Sequence, residues 1–433
     1  MREVSKLILG KNTETNEEVL LNNGNLLILG GDHSRKHDIV TCPFLNQVIA
    51  NKGQGVTIFD HTGKVTSVAY ALAKKNRRKI LYFNPTLYNV KFNPLRGNVE
   101  DVIANFIRFF RIQNPHTPEF YMSNATTLLT YAIKVLKRLY GDNTTLFTLQ
   151  KFLSNVHGFS RKTIIKFNQL SPSDGTKKEE HDLISSWLSN EYLNEKSKTY
   201  EYSITVRSFL VELLSNQALA QIFNTNESGT FLELDFNQHL QNKEVVIIHT
   251  DETKLSTTAC SQLQTLIALH FQNVVFRQVK PVNHLLYIQN LYCIKPILDE
   301  LFQFGTNRCL RIVAEADNGV LFEHINREYK NTSLIANFPN IILMQGTMIN
   351  DQFRDQIFPN NLSNTNNVPV TVKDKCEFYY QVLDPNANAY QHTGFAFGIP
   401  LSVEETAFLQ KRIKRYNKEF QHQLNLLQLS QAQ

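Results

Sequence analysis

The residues best placed to do chemistry stand where an apolar strand runs into a polar turn: Leu26-Leu27-Ile28-Leu29-Gly30-Gly31-Asp32-His33-Ser34-Arg35-Lys36-His37. This has the layout of a phosphate-binding loop, G-x-x-x-x-G-K-[ST]. In such a loop backbone N–H groups cradle the phosphates, Lys reaches the β- and γ-phosphates, and the hydroxyl ligates Mg²⁺. Gly30 and Lys36 hold their places in that pattern, with Gly31 beside them. Arg35 stands where the second glycine belongs, bringing a long side chain to a position used for a turn and for close approach to phosphate. His37 replaces the hydroxyl, and imidazole is a poor ligand for a hard cation that favours oxygen. The pattern is that of an NTPase loop that has lost its chemistry, with nucleotide binding left open. Taken alone, the segment reads first as the plain strand–turn–helix of any α/β protein.

The elements that would position such a loop are legible around it. With 433 residues, 42% of them hydrophobic, the chain can bury a large core divided into two to three lobes. Before the loop, Glu18–Leu21 and Leu26–Leu29 flank Asn22-Asn23-Gly24-Asn25, a hairpin or strand–turn–strand signal. After it, Phe44, Val48 and Ile49 suit one helix face; Gly55–Asp60 reads as a buried strand, Val65–Lys75 as a helix and Lys79–Phe83 as a strand. From Val99 to about Asn216 the periodicity is helical, through Val102, Phe106, Phe109, Leu128, Leu136 and Trp187. Strand patterns resume at Glu244–His249, His284–Ile288, Leu310–Ala314 and Asn340–Met344, with helices between them. An Asn/Ser-rich linker over 360–368 precedes β-type alternation at Phe378–Leu383 and Phe395–Ile399 and a basic, Gln-rich helix from Val403. Strands alternating with helices predict a mainly parallel sheet covered on both faces.

Composition narrows the function classes. The five cysteines are odd in number and never in C-x-x-C spacing, which argues against a disulfide framework or a zinc site. A net charge of +6 permits nucleic-acid contact without requiring it. No run of about eighteen apolar residues is present and the N-terminus lacks an apolar signal region, so neither a membrane span nor secretion is expected.

Four landmarks in order resemble the type IV coupling proteins of conjugation and type IV secretion (TraG/TraD-like), within the FtsK/HerA group of P-loop translocases. They are the loop Gly30–His37 with the following Asn46-Gln47-Val48-Ile49; Val56–Lys64, similar to a strand ending in Asp-Pro-Lys-Gly; Asn84-Pro85 and Asn93-Pro94-Leu95 before the helical stretch; and the strand His284–Ile288 followed by the Arg-bearing turn Gly305-Thr306-Asn307-Arg308. The resemblance implies an α/β, RecA-like P-loop NTPase domain with a mainly parallel sheet, interrupted by an all-α domain and followed by a small β-containing tail. The corresponding divisions are 1–98 and 236–360 for the RecA-like domain, 99–235 for the helical insertion and 361–433 for the tail. Where the family's acidic strand ends in Asp-Glu, this chain has Gln289-Asn290, amides that neither hold Mg²⁺ with a full charge nor serve as bases. Val313–Asp317 lacks the family's sensor Gln.

Other residues admit two readings. Asp251-Glu252 could form an unconventional acid pair in an active translocase, or simply end a strand. Asp60 reads as a catalytic carboxylate or a turn and cap residue. Arg308 reads as a finger acting in trans in a mixed ATPase ring or as a surface pair. Lys74, Lys75, Arg77, Arg78 and Lys79 form the main basic cluster, able to meet DNA phosphates or to lie solvated. Lys411, Arg412, Lys414, Arg415 and Lys418 form a second on the tail helix.

The resemblance therefore implies a coupling-protein-like component of conjugative DNA transfer that docks relaxase-bound DNA to a secretion channel without hydrolysing ATP itself. No catalytic residue and no resident cofactor or metal are expected, with residual ATP binding left open. The implied partners are a relaxase or relaxosome, an active ATPase of the secretion system, a membrane-anchored channel protein and DNA, at a cytoplasmic, membrane-peripheral location.

Overall fold

The computed structural model describes residues 6–31, 34–87, 90–173, 175–225, 232–251, 254–289, 297–317, 334–344, 347, 377–383 and 391–431. In chain order the elements begin with β1 (Leu7–Asn12), β2 (Glu18–Leu21), β3 (Leu26–Leu29), α1 (Cys42–Ala50), β4 (Gly55–Asp60), α2 (Thr66–Lys75), β5 (Ile80–Phe83) and β6 (Val90–Lys91). Helices α3 (Val99–Gln113), α4 (Glu119–Tyr140), α5 (Leu146–Leu153), α6 (Phe159–Asn168), α7 (Gly175–Trp187), α8 (Lys198–Tyr202), α9 (Ile204–Ser215) and α10 (Gln217–Phe223) follow, then β7 (Leu232–Glu233). The remainder is α11 (Phe236–Gln241), β8 (Val245–His249), α12 (Thr257–Arg277), β9 (His284–Ile288), α13 (Leu298–Gly305), β10 (Leu310–Ala316), β11 (Asn340–Met344), β12 (Glu377–Leu383), β13 (Gln391–Phe397) and α14 (Val403–Gln431).

These elements form two compact units. The first comprises Met1–Phe83, Phe236–Asp251 and Val275–Gln433, the second Asn84–Asp235 and Glu252–Val274. The first unit is built on one sheet with strand order β2-β1-β13-β12-β11-β3-β10-β9-β4-β8-β5. Its pairings from β11 through to β5 are all parallel. The strands there are near-continuous apolar runs, as burial on both faces demands: every residue of β3, β4, β9 and β11 is buried.

Two expectations change in detail. Of the two readings of 18–29, strand–turn–strand holds and the hairpin does not: β2 buries every second residue and pairs with β1 at the sheet edge, whereas uniformly buried β3 sits centrally between β11 and β10. The tail strands are not a separate segment either. β12 pairs antiparallel with β11 and β13 with β12, and β13 pairs with β1, so both termini extend the central sheet. The linker expected at 360–368 lies outside the described residues.

The second unit is helical apart from the short pair β6–β7. Phe106, Phe109, Phe110 and Phe209 pack as an aromatic core, with ring centroids 5.2–5.8 Å apart. The two Asn-Pro pairs have local structural roles. The Asn84 carboxamide oxygen accepts from the Thr86 N–H, and that of Asn93 accepts from the Leu95 N–H while its amide donates to the carbonyls of Asp142 and Thr144. Such Asx turns set the chain direction ahead of α3, which Asn98 caps.

Candidate functional site

In a parallel sheet, ligands meet the carboxyl ends of the strands. At that edge of the first unit stand the turn after β3, Gln289 after β9, the end of β10 and Asp60 closing β4. The register sets them in order: Ile28 is level with Glu315, and Ile288 with Ala314, so Gln289 falls beside Glu315.

Arg35 adopts φ +57°, the left-handed conformation for which glycine is the usual choice. Gly30 is sterically required, because a Cβ there would lie 2.5 Å from that of Met344. Asp32 and His33 lie outside the described residues. His37 opens a single π-turn (His37–Thr41) that leads into α1, with Pro43 in its first turn.

Three of the loop's N–H groups are already engaged. The Gly30 N–H donates to the Ala316 carbonyl at 3.1 Å, the Ser34 N–H to Gly31 at 3.0 Å, and the Lys36 N–H to the Ser34 hydroxyl at 3.3 Å. Lys36 is itself buried. Its ammonium lies 3.3 Å from Asp317 Oδ1, 3.7 Å from Glu315 Oε2 and 3.5 Å from the Ala316 carbonyl. Glu315 is 3% exposed, and its carboxylate also accepts from the Tyr287 and Thr41 hydroxyls. Burial, then the charges of Asp38 and Glu315, push the neighbouring Cys42 thiol up to about 12. Burial and Glu315 also raise the Tyr287 phenol well above its usual range. Lys36 thus faces two of the chain's own carboxylates, and an incoming phosphate would have to displace or neutralise them.

The acid-pair position contributes no charge. Gln289 is 5% exposed; its N–H donates to the Phe59 carbonyl at 2.9 Å, and its side-chain oxygen has no hydrogen-bond partner among the described residues. Asn290 lies outside the described residues, as does Glu252. Asp251 follows β8, four strand spacings from β3, or about 19 Å at ~4.8 Å each. Asp60 is a cap: its two carboxylate oxygens accept from the N–H groups of Thr62, Gly63, Val65 and Thr66 and from both threonine hydroxyls, closing the turn into α2.

Arg308 and the first basic cluster lie at the opposite, amino edge of the strands. Arg308 donates to the Gln278 carbonyl at 2.7 Å, just before β10, whose seven residues span about 23 Å at ~3.3 Å each. Arg78 is buried, and its guanidinium donates to four carbonyls, those of Ile49, Asn51, Gln54 and Lys243, at 2.6–2.8 Å. It pins the starts of β4 and β8 together and is not presented to a phosphate. Lys75 pairs with Glu405 of α14 at 3.0 Å and Lys79 with Glu244 at 2.5 Å. Lys74, over the Tyr70 ring, and Arg77 remain exposed.

The sequence does not single out Glu315 and Asp317 as partners of Lys36, or Tyr287 and Thr41 as donors to Glu315. A signal was present: a carboxylate within the apolar run Leu310–Ala316 must find a cation or donors if it is buried. Which groups answer it depends on strand order.

Among the described residues, no group of three or more His, Cys, Asp or Glu side chains is arranged to hold a metal ion, and no helix is long and apolar enough to cross a membrane. Strand order, the strand-to-loop turn and the interrupting helical unit define a P-loop NTPase fold of the coupling-protein type. Solved structures share it. Plasmid coupling protein TrwB in complex with the GTP analogue GDPNP aligns with a TM-score of 0.57 at 13% identity, over 92% of this chain and 95% of that one. TrwB in complex with ADP and Mg²⁺ aligns at 0.54 and 13% identity, covering 92% and 94%. VirB4 of Thermoanaerobacter pseudethanolicus aligns at 0.56 and 14% identity, covering 94% and 99%. No protein-family model and no curated protein matches the sequence.

Proposed function

We propose that this chain is a coupling-protein-like component of conjugative DNA transfer that works by docking and does not hydrolyse ATP. One observation carries this reading: the lysine that would serve the phosphates is bound to Glu315 and Asp317 inside a fold otherwise shared with nucleotide-binding coupling proteins. Neutral Gln289 in place of an acid and the bonding of the Gly30, Ser34 and Lys36 N–H groups within the chain act in the same direction. In this reading the helical unit receives a relaxase–DNA substrate, while a partner ATPase supplies the energy and a membrane-anchored channel protein holds the chain at the cytoplasmic face of the membrane. Lys74 and Arg77 remain as phosphate contacts from the first basic cluster. Arg308 would serve a mixed ring only in trans, since it lies at the edge of the sheet remote from its own loop. The alternative of an active ATPase using Asp251 and Glu252 is disfavoured by the strand spacings that separate β8 from β3.

The test is complementation of DNA transfer in cells carrying the native element, with the gene deleted and resupplied as Lys36→Met/Glu315→Gln. That pair removes the loop lysine together with the buried charge it neutralises. Transfer at the wild-type level supports docking without hydrolysis. Abolished transfer by a stably folded variant, together with Mg²⁺-dependent ATP turnover by the purified wild type, would overturn it.

A further inference from the structure

The second unit carries an unusual charge distribution that the loop and its sheet do not explain. From Asn143 through Ser173 the sequence contains no Asp or Glu, yet it contains Lys151, Arg161, Lys162 and Lys166. All four are exposed, and none makes an ion pair among the described residues; Lys151 lies over the Phe159 ring at 4.9 Å. On α6 the buried side chains Ser160, Thr163, Ile164 and Phe167 share one face. At about 100° per residue, Arg161, Ile165, Lys162 and Lys166 fall in sequence around the opposite arc, spanning roughly 140°. Ile165, 60% exposed, therefore sits in a ring of three cations. Two further exposed apolar side chains flank it: Val156 at the turn before α6 (40%) and Leu170 just after it (44%).

The turn before α6 is held in shape. Asn155 and His157 both adopt left-handed backbone conformations, the Asn155 carboxamide accepts from the Ser160 N–H, and the Ser160 hydroxyl donates to the Phe152 carbonyl. Of the acids on the packed helices, Glu180 of α7 pairs with Lys134 and Asp182 lies 3.3 Å from His181, while Glu179 of α7 and Glu212 of α9, which lines a cavity with Ser154, are exposed. What faces solvent is a fixed surface with an apolar centre and a cationic rim.

We infer that the α5–α6 surface is a docking site for an acidic protein segment carrying an apolar side chain between its carboxylates. Charge complementarity selects an anionic partner. The apolar centre selects protein over nucleic acid, since phosphate contact gains nothing from an exposed Ile165 and the half-buried Phe159 ring at the edge of the arc carries Lys151 over its face. The inference rests on the docking role proposed above and names the chemistry of the partner that the helical unit would receive.

The experiment uses the full purified chain and fluorescence anisotropy with four probes: a labelled twelve-residue peptide of alternating Glu and Leu, a polyglutamate of equal charge, a 20-nucleotide single strand, and vesicles of 30% anionic lipid. The Glu/Leu peptide is expected to bind best, with affinity falling as salt rises. Lys162→Glu/Lys166→Glu should weaken it about tenfold or more, and Ile165→Ser several-fold, with circular dichroism unchanged. Equal or tighter binding of the oligonucleotide or vesicles, lost on charge reversal but indifferent to Ile165→Ser, would overturn the assignment. So would peptide binding unaffected by both variants, or no peptide binding by a folded chain. Because these readouts need neither nucleotide nor DNA transfer, they fail or stand separately from the complementation test.

Discussion

Replacing Lys36 by Met separates a structural lysine from a catalytic one. In a working phosphate loop the lysine serves the ligand, and its loss impairs turnover while the empty fold is little affected. Here its ammonium lies 3.7 Å from a carboxylate whose side chain is only 4% exposed. At an effective dielectric of about 20, that attraction is about 4–5 kcal/mol before desolvation is counted. The pairing with Asp317, whose side chain is 53% exposed, is screened and adds at most about 1 kcal/mol. Removing the cation strands Glu315 as a buried charge, a change that costs about 3–5 kcal/mol. Lys36→Met is therefore expected to destabilise the first unit by about that amount. Adding Glu315→Gln should recover at least about 2 kcal/mol, because the amide oxygen still accepts from Tyr287 and Thr41 without a charge to compensate. Urea denaturation of both single variants and the double variant gives the coupling energy, and amide exchange in β3, α1 and β10 localises it. A loss below about 1 kcal/mol for Lys36→Met, or no recovery in the double variant, would refute the view that the loop lysine holds the fold together.

Three further outcomes follow from the same contacts. At Arg35, whose φ is +57°, Gly should be more stable than Ala by about 1 kcal/mol; both remove the side chain, so a thermal-denaturation comparison isolates the backbone cost. Arg78→Ala should cost about 3 kcal/mol or more by leaving four carbonyls without their charged donor, whereas exposed Arg77→Ala should change the urea midpoint little. Burial lowers His284 to about 3 and His270 to about 4, each neutral in the fold. The unfolded chain takes up these protons first, so their contribution is fully present above about pH 6.5. It is lost as pH falls below that value, at up to about 1.4 kcal/mol per histidine per pH unit until the folded pKa is reached. His284→Gln should flatten part of that slope in urea titrations between pH 7 and 4.

Much of the architecture is written locally. The apolar runs at Gly55–Asp60, Glu244–His249, His284–Ile288 and Asn340–Met344 can be satisfied only by burial on both faces of a sheet, and the helical periodicity from Val99 to Asn216 marks the second unit. The losses at the loop are also sequence facts, because a side chain that cannot ligate Mg²⁺ does not become a ligand on folding. Strand order is not written locally. Nothing between Glu18 and Leu29 says that β3 goes to the centre of the sheet, or that the tail strands will extend the same sheet to β1, since the pairings of β3 with β10 and β11 and of β13 with β1 join segments hundreds of residues apart.

The sequence by itself determined that the phosphate loop is altered and that the acid-pair position is neutral at Gln289. Only the tertiary structure decided what Lys36 does instead. Placing β10 beside β3 brings Glu315 and Asp317 to the lysine, and placing β9 beyond β10 adds the Tyr287 hydroxyl. The physical reason is that a buried charge must be neutralised within a few ångströms, and no local pattern in a chain specifies which distant strand will supply the partner.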